Sequence, residues 1–570
     1  MLINTVFFIS YSISILFSIL GYGIFFTNKI FNNNKYLNLS LIGLFGILFI
    51  YLISSLTHIF TSHNYIHNLI LLIVGIIFFF QNFKTIKNYK KQLKVIVTFF
   101  LCLSLGFLIS KTNEDFSYYH LPNSLQFSSH KLEFGLGNLS HGFKHFSSLF
   151  LINSIFYLPF IEIYLFNITN FMLQIFFFSG LTFFIFQKEI NNFTKTLIAF
   201  TLITYLVKFS RLAEYGADYM GQFLVLMGVI IASLSFSNRK LSHNEHKNIF
   251  YISILLIIFS ITTKFLYAIY MIIPFVIFLK KFRYQEIFEI SMNKNFIFVS
   301  LILISSTIFF NFTATGCLLY PIKITCFTES IDWSLSSKTI DYLNLHYKAW
   351  SKAGIGAGYG LLNQQEYISG LNWVDNWFKK YFFNKVSDYI LVVLFILIIF
   401  LITFWKNLKK NEKIDFDKKY FKISYLSILI VLILWFLNFP TLRYAGYTVV
   451  FLIIIFPFCL FFSQRINLNE KMILQKFKLL TFIALIIFNL KNLQRLNHEL
   501  NLKNHEHHNF YNFPFYWVDD VKYKEILIHG KYFYQVTNNK SCWNVPATCL
   551  RDKNYLDIQK KNGYFFYKRK

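Results

Sequence analysis

NLSLIGLFGILFIYLISSLTHIF, residues 38–60, holds no Asp, Glu, Lys or Arg across 23 positions. As a helix rising ~1.5 Å per residue it spans a bilayer core of ~30 Å. Similar runs recur near 3–27, 67–83, 95–110, 163–186, 196–209, 220–236, 249–263, 265–279, 296–312, 387–405, 421–438, 444–463 and 477–491. They are continuously apolar and lack the period-2 alternation of an outer-membrane barrel, so helices are the spanning unit. The expectation is an all-α polytopic membrane protein of about fourteen transmembrane helices, with outer loops and a small C-terminal extramembrane domain. The 55% hydrophobic and 21% aromatic content agrees, as does a mean hydropathy of +0.48. MLINTVFFIS at the start lacks the charged region and small-residue cleavage site of a signal peptide and reads as part of the first span.

The net charge of +28 invites a nucleic-acid partner. The lysines, however, lie mostly in short tracts between apolar runs, which is the positive-inside pattern, so no nucleic acid is expected. KTIKNYKKQLK (84–94), KKFRYQE (280–286), KNLKKNEKIDFDKKYFK (406–422) and QRINLNEKMILQKFK (464–478) are assigned to the cytoplasm. Segments 111–150, 208–219, 312–386, 439–443 and the tail from about 492 then face outward. The chain divides into additional N-terminal helices (1–94), a core (95–312) with outer loop 111–150, a large outer loop (313–386), C-terminal helices (387–491) and a small outer domain (492–570).

Six cysteines test this sidedness. Cys102 and Cys459 lie in apolar runs, whereas Cys317 with Cys326 and Cys542 with Cys549 form close pairs in outward segments. Two local disulfides in an oxidising compartment fit those pairs. Zinc is the alternative, although neither CxxC spacing nor an accompanying histidine supports it. The tract HEHHNF (505–510) is either a metal binder or an incidental surface run. KAGIGAGYGLLNQ (352–364) lacks a Walker lysine and reads as a flexible turn rather than a phosphate loop.

Chemistry concentrates in NEDFSYYHLP (113–122), just after the run ending near 110. Glu114 and Asp115 are adjacent carboxylates in a chain poor in acid, with Tyr118, Tyr119 and His120 close behind. A carboxylate partly desolvated by lipid and protein suits a general base. The competing reading is a helix cap, in which Asn113 or Asp115 satisfies free N–H groups.

An acidic pair in the first large outer loop of a multispan protein, followed by an aromatic, amphipathic stretch, resembles the GT-C superfamily of integral-membrane glycosyltransferases. The resemblance extends over about 95–490 and rests on a two-residue motif. It implies a GT-C-like fold and a catalytic role for Asp115 and Glu114, one of which contacts the acceptor or acts as base. It also implies that LFLINSIFYLPFIE (149–162) is an interfacial helix. Three extra spans precede the loop, where that superfamily usually has one span. The chain also resembles an uncharacterised group of bacterial polytopic proteins ending in a cysteine-containing outer tail.

KFSRLAEYGADYMGQF (208–223) adds Arg211, Glu214 and Asp218, which share a face at helical spacing, either as a salt-bridge network or as part of a site. Lys264 in SITTKFLYAIY and Arg443 in FPTLRYAGY lie between apolar runs. Each either snorkels to headgroups or grips phosphate. The expected substrate-binding set is Arg443, Lys264, Arg211, Asp218, His120 and Tyr118, with His141 and His145 as ordinary loop histidines or sugar contacts. The expected partners are a polyprenyl-phosphate-linked sugar, a glycan, lipid or protein acceptor, and membrane lipid. No metal ligand set is evident, although a divalent cation beside the acid pair is left open. The expected place is the inner membrane, as a multi-pass protein with its site facing the periplasm or outside. A Wzy-type polymerase or O-antigen ligase and a lipid-linked glycan flippase are the rival readings.

Overall fold

The computed structural model describes residues 2–31, 36–82, 89–108, 115–187, 189–210, 216–236, 241–282, 284–291, 293–328, 330–353, 363–408, 418–465, 470–501, 521–537, 541–550 and 556–570. Glu114, Arg211, Glu214, the stretch 354–362 and the tract HEHHNF lie outside them.

The fourteen apolar runs fall in helices wherever they are described. Asn and Ser residues set several of the starts. The side chains of Asn38, Asn64, Asn191 and Asn293 each accept from a backbone N–H in the first turn of the helix that follows, and Ser242 forms a capping box with Glu245. Among the described residues ten helices are long and apolar enough to cross a membrane: Ile3–Ile30, Leu39–Phe60, Ile163–Phe186, Ala217–Phe236, His243–Thr263, Lys294–Thr315, Val374–Phe404, Lys419–Asn438, Leu442–Arg465 and Met472–His498. Tyr65–Gln81 is a shorter apolar helix. The protein is thus all-α and largely membrane-spanning through its main body.

Helices Leu39–Phe60, Ile168–Phe186, Ala217–Ser233 and His243–Thr263 form the buried centre, with Phe45, Phe176, Leu224 and Ile257 inaccessible. Exposed apolar residues such as Ile70, Phe298, Leu391 and Phe482 lie on helices nearer the rim. That distribution fits a body whose outer solvent is hydrocarbon.

The stretch 149–162 departs from the interfacial expectation. Helix Ser148–Ser154 is buried along its whole length and touches Leu39–Phe60 and Leu121–Ser129. Beyond it Phe160 and Glu162 take positive φ (72° and 41°), which ends any helix there. Leu149, Phe150, Leu151 and Ile152 are apolar on every side, so the segment inserts between helices instead of lying on them.

The tail is shifted too. Helix Glu470–Asn501 runs past residue 492, and the small domain is a β structure. Strands β1 (Tyr523–Ile528), β2 (Lys531–Val536) and β3 (Cys549–Leu550) form one sheet, with β1 and β2 antiparallel and β2 and β3 parallel. Strands β4 (Leu556–Lys561) and β5 (Tyr564–Arg569) form an antiparallel hairpin. Asn562-Gly563 turns that hairpin with φ of 51° and 78°, the Asn-Gly signal for a two-residue turn.

β5 docks on the 115–150 segment. Phe134 N–H donates to Phe565 O at 2.9 Å, and Tyr567 N–H donates to Phe134 O at 2.9 Å. Both cysteine pairs are joined, Cys317 to Cys326 and Cys542 to Cys549, while Cys102 and Cys459 are free. The segments assigned to one side do gather at one end. Gly135 N–H reaches Thr313 O at 2.7 Å, and Trp543 N–H reaches Ser117 O at 3.1 Å. Two of the basic tracts meet as well: the Lys281 ammonium lies 5.0 Å over the Tyr420 ring.

Candidate functional site

Pro440 cannot continue the helix Lys418–Asn438, and the chain enters Tyr447–Arg465 through a short connection ending in a broken turn, Leu442–Gly446, which carries Arg443 and in which Tyr444 and Ala445 leave helical φ/ψ. Side chains from four other helical segments and one flanking helix hold this loop. Trp377 Nε1 donates to Pro440 O at 2.7 Å, and Trp435 Nε1 donates to Thr441 O at 3.1 Å. Leu442 N–H donates to Tyr381 Oη at 2.8 Å, and Tyr270 Oη donates to Ala445 O at 2.5 Å. Gln222 Oε1 accepts from Thr448 N–H at 3.0 Å just beyond the loop. Ala445 sits at φ 67°, and Gly446 passes so close to Trp435 that an added Cβ would lie 2.6 Å from its Cζ2. Arg443 therefore projects from a backbone fixed before any ligand arrives.

Arg443 bridges two carboxylates. Its Nε donates to Asp218 Oδ2 at 2.8 Å and its Nη2 donates to Asp115 Oδ2 at 2.5 Å. Lys264 Nζ donates to the other Asp218 oxygen, Oδ1. Asp218 lies in the first turn of helix Ala217–Ser233, where the helix dipole favours an acid. Its backbone carbonyl accepts from Tyr267 Oη at 2.6 Å. Tyr267 can cross there because position 221 is glycine; a Cβ would meet the ring at 2.1 Å. Lys264 follows the end of helix His243–Thr263, and its ammonium stands 4.4 Å over the Tyr444 ring.

Asp115 starts a wide helical turn, Phe116–His120, and makes no side-chain cap bond. The cap reading thus fails for Asp115, whose carboxylate goes to Arg443 instead. Among the described residues its Oδ1 accepts no hydrogen bond. Side-chain exposure grades the four groups: Asp218 is 13% exposed, Lys264 27%, Asp115 29% and Arg443 34%. Two anions face two cations, so the group is neutral as a whole.

Of the remaining expected residues, His120 is buried, with its ring 4.3 Å from Tyr119 and 5.2 Å from Phe150. Burial pushes its imidazole down to about 3 despite the pull of Asp115 and Asp218, so it is neutral at pH 7. Tyr118 lies against His141 with ring centres 6.0 Å apart. The phenol of Tyr119 is pushed up by burial and by the nearby Asp115 charge.

Beside the charges stands a cluster of tyrosines and histidines that the sequence does not announce. Tyr347 Oη lies 3.0 Å from His141 Nε2, 3.0 Å from His145 Nε2 and 3.2 Å from Tyr320 Oη. One hydroxyl carries one proton, so it donates to at most one of its three partners and at least one of the two imidazoles must present an Nε2–H to it. Burial holds His145 well below the usual imidazole value, consistent with the neutral form. Helix Ser337–Ala353 carries Tyr347 to these histidines and Trp350 to Tyr444, with ring centres 5.7 Å apart. Through Trp350 it reaches Tyr444, the residue next to Arg443. Only the aromatic density of 313–386 hints at this role in the sequence.

Among the described residues no three His, Cys, Asp or Glu side chains are grouped to hold a metal ion. Among the described residues cations occupy both Asp218 oxygens and one Asp115 oxygen, and Glu114, the other member of the acid pair beside which a divalent cation was left open, lies outside them. What the arrangement offers is a fixed guanidinium, an ammonium beside it, and one carboxylate, that of Asp115, with an oxygen that accepts no hydrogen bond among the described residues.

No curated protein and no solved structure matches this chain. A family model does match, over residues 5–451, a stretch that includes Asp115, Asp218, Lys264 and Arg443 and ends before the C-terminal strands. The chain belongs to the family described as Domain of unknown function (DUF8201).

Proposed function

We propose that the protein is a GT-C-like membrane glycosyltransferase that moves a sugar from a polyprenyl-phosphate-linked donor to a glycan, lipid or protein acceptor. The observation that carries the reading is the meeting of Asp115, Asp218, Lys264 and Arg443, from four separate helix ends and connections, at one end of an apolar helix bundle. Intramembrane and membrane-edge ionisable groups are costly and mark function by default.

In this reading Asp115, with Glu114 beside it, accepts the proton of the acceptor hydroxyl. The acceptor oxygen bonds to the anomeric carbon, the bond from that carbon to the phosphate oxygen breaks, and its electron pair leaves with the phosphate. Arg443 and Lys264 stabilise that leaving charge. The single displacement inverts the anomeric configuration. Asp218 positions the two cations.

The reading makes fourteen passes by adding to the ten long helices Tyr65–Gln81, Lys90–Leu108, Asn192–Lys208 and the broken helix 265–281. It places the protein in the inner membrane with the charged group on the outer side, because the disulfides lie at that end and need an oxidising compartment. The test is release of polyprenyl phosphate from a polyprenyl-phosphate-linked hexose by the reconstituted full chain, with membrane extract as acceptor. Release should fall at least a thousandfold in Asp115→Asn; undiminished release in Asp115→Asn and Glu114→Gln overturns the reading.

A further inference from the structure

Arg443 divides its donors unequally between two acids. Asp218 is the fixed partner: it is the least exposed of the four groups, both its oxygens are engaged, and Tyr267 pins its backbone. Asp115 is the loose partner, more exposed than Asp218 and, among the described residues, bonded through one oxygen. The Arg443 loop is held by neutral donors and acceptors from Trp377, Tyr381, Trp435 and Tyr270. Losing Asp115 therefore need not move the guanidinium.

While Asp115 is paired, the four charges cancel and offer an anion no net attraction. The oxygen that Asp115 gives to Arg443 is also unavailable to a hydroxyl proton. Once Asp115 withdraws, Asp218, Lys264 and Arg443 carry a net positive charge, with Arg443 Nη2 open. Phosphate matches guanidinium geometry better than a single carboxylate oxygen does, since two parallel bonds can form.

We propose that Arg443 is an ion-exchange switch: a phosphate-bearing ligand replaces Asp115 on the guanidinium, and that replacement frees the Asp115 carboxylate. The bonded pair is the resting, self-inhibited state of the site. This rests on the reading above that Arg443 and Lys264 meet a phosphate. Base and leaving-group site are thereby coupled, because the acid becomes available only when the anion is seated. A hydroxyl arriving without donor meets a masked base.

The switch makes a prediction with an unusual sign: removing the charge of Asp115 should tighten phosphate binding. The test is equilibrium binding of undecaprenyl phosphate and, separately, inorganic pyrophosphate to the full chain in nanodiscs. Wild type, Asp115→Asn, Asp115→Ser and Asp218→Asn are compared, with thermal unfolding to certify folding. The expected result is about tenfold tighter binding in both Asp115 variants and no such gain in Asp218→Asn, which unclamps the two cations. A gain for undecaprenyl phosphate alone assigns the ligand to a lipid headgroup, and a gain for both assigns it to the phosphate itself. Binding in Asp115→Asn and Asp115→Ser equal to or weaker than wild type overturns the switch, as do equal gains in Asp115→Asn and Asp218→Asn. If the Asp115 gain appears but sugar transfer does not, the switch stands and the glycosyltransferase reading falls.

Discussion

Lys531 on β2 places its ammonium 2.5 Å from Oε1 of Glu133, 398 positions earlier, with both side chains less than a tenth exposed. Tyr567 Oη donates to the other carboxylate oxygen at 2.9 Å, and Gln126 Nε2 donates to it at 2.6 Å. This closed network joins the C-terminal strands to the segment that begins at Asp115. Removing one member strands a buried charge, so Glu133→Gln or Lys531→Met should cost about 3–5 kcal/mol of docking stability. Replacing both by apolar residues should cost less than either single change. Limited proteolysis of the 521–570 region, read together with thermal unfolding, measures this.

Gly446 should tolerate no side chain. A Cβ there meets Trp435 Cζ2 at 2.6 Å and Thr441 O at 2.9 Å, and the indole is tied to the same loop by its N–H. Gly446→Ala should therefore displace Arg443, costing about 1–3 kcal/mol of stability and on the order of a hundredfold in phosphate release. Ala445→Gly, at a position with φ 67°, should leave both within twofold of wild type. Unfolding midpoints and the release assay separate the two outcomes.

Acid should weaken the site end of the molecule. His120, His130 and His145 are all held below the ordinary imidazole value of 6.5, chiefly by burial, with His120 at about 3. The unfolded chain takes up protons below that ordinary value while the folded chain does not. Stability is thus complete above pH 6.5 and falls as pH drops toward 3. At pH 4.5 His120 alone should cost about 2–3 kcal/mol. Unfolding midpoints measured from pH 7.5 to 4.5 should decline, and His120→Phe should flatten the decline.

The cysteines give a chemical count. Alkylation of the unfolded, unreduced protein should modify two thiols, Cys102 and Cys459, and prior reduction should raise the number to six. Trp543 lies within the Cys542–Cys549 loop and donates its N–H to Ser117 O, two residues past Asp115. Cys542→Ser with Cys549→Ser should lower phosphate release about tenfold by loosening that support. Mass spectrometry reads the count, and the release assay reads the effect.

Much of this was visible in the chain. Apolar runs announced the helices because each must satisfy its backbone internally in a membrane, whatever its neighbours. Pairing of Cys317 with Cys326 and of Cys542 with Cys549 was visible because both pairs are local. The strands of the tail were not read, although Asn562-Gly563 between KK and YFFY carries a hairpin signal. The burial of Ser148–Ser154 was hidden because an all-apolar segment reads alike whether it faces lipid or protein. The Tyr347 cluster joins positions more than two hundred residues apart, beyond any local pattern.

Sequence by itself placed Asp115, Asp218, Lys264 and Arg443 at the ends of apolar runs or in the breaks between them, because a membrane-spanning helix excludes unpaired charge from its middle. Tertiary structure alone decided the pairing. Asp218 takes both cations and Asp115 shares one of them, across separations of 225 and 328 residues. Charges attract without regard to sequence. Their partners are chosen by how closely the helices approach, and here that depends on a strapped loop and on glycines at 221 and 446.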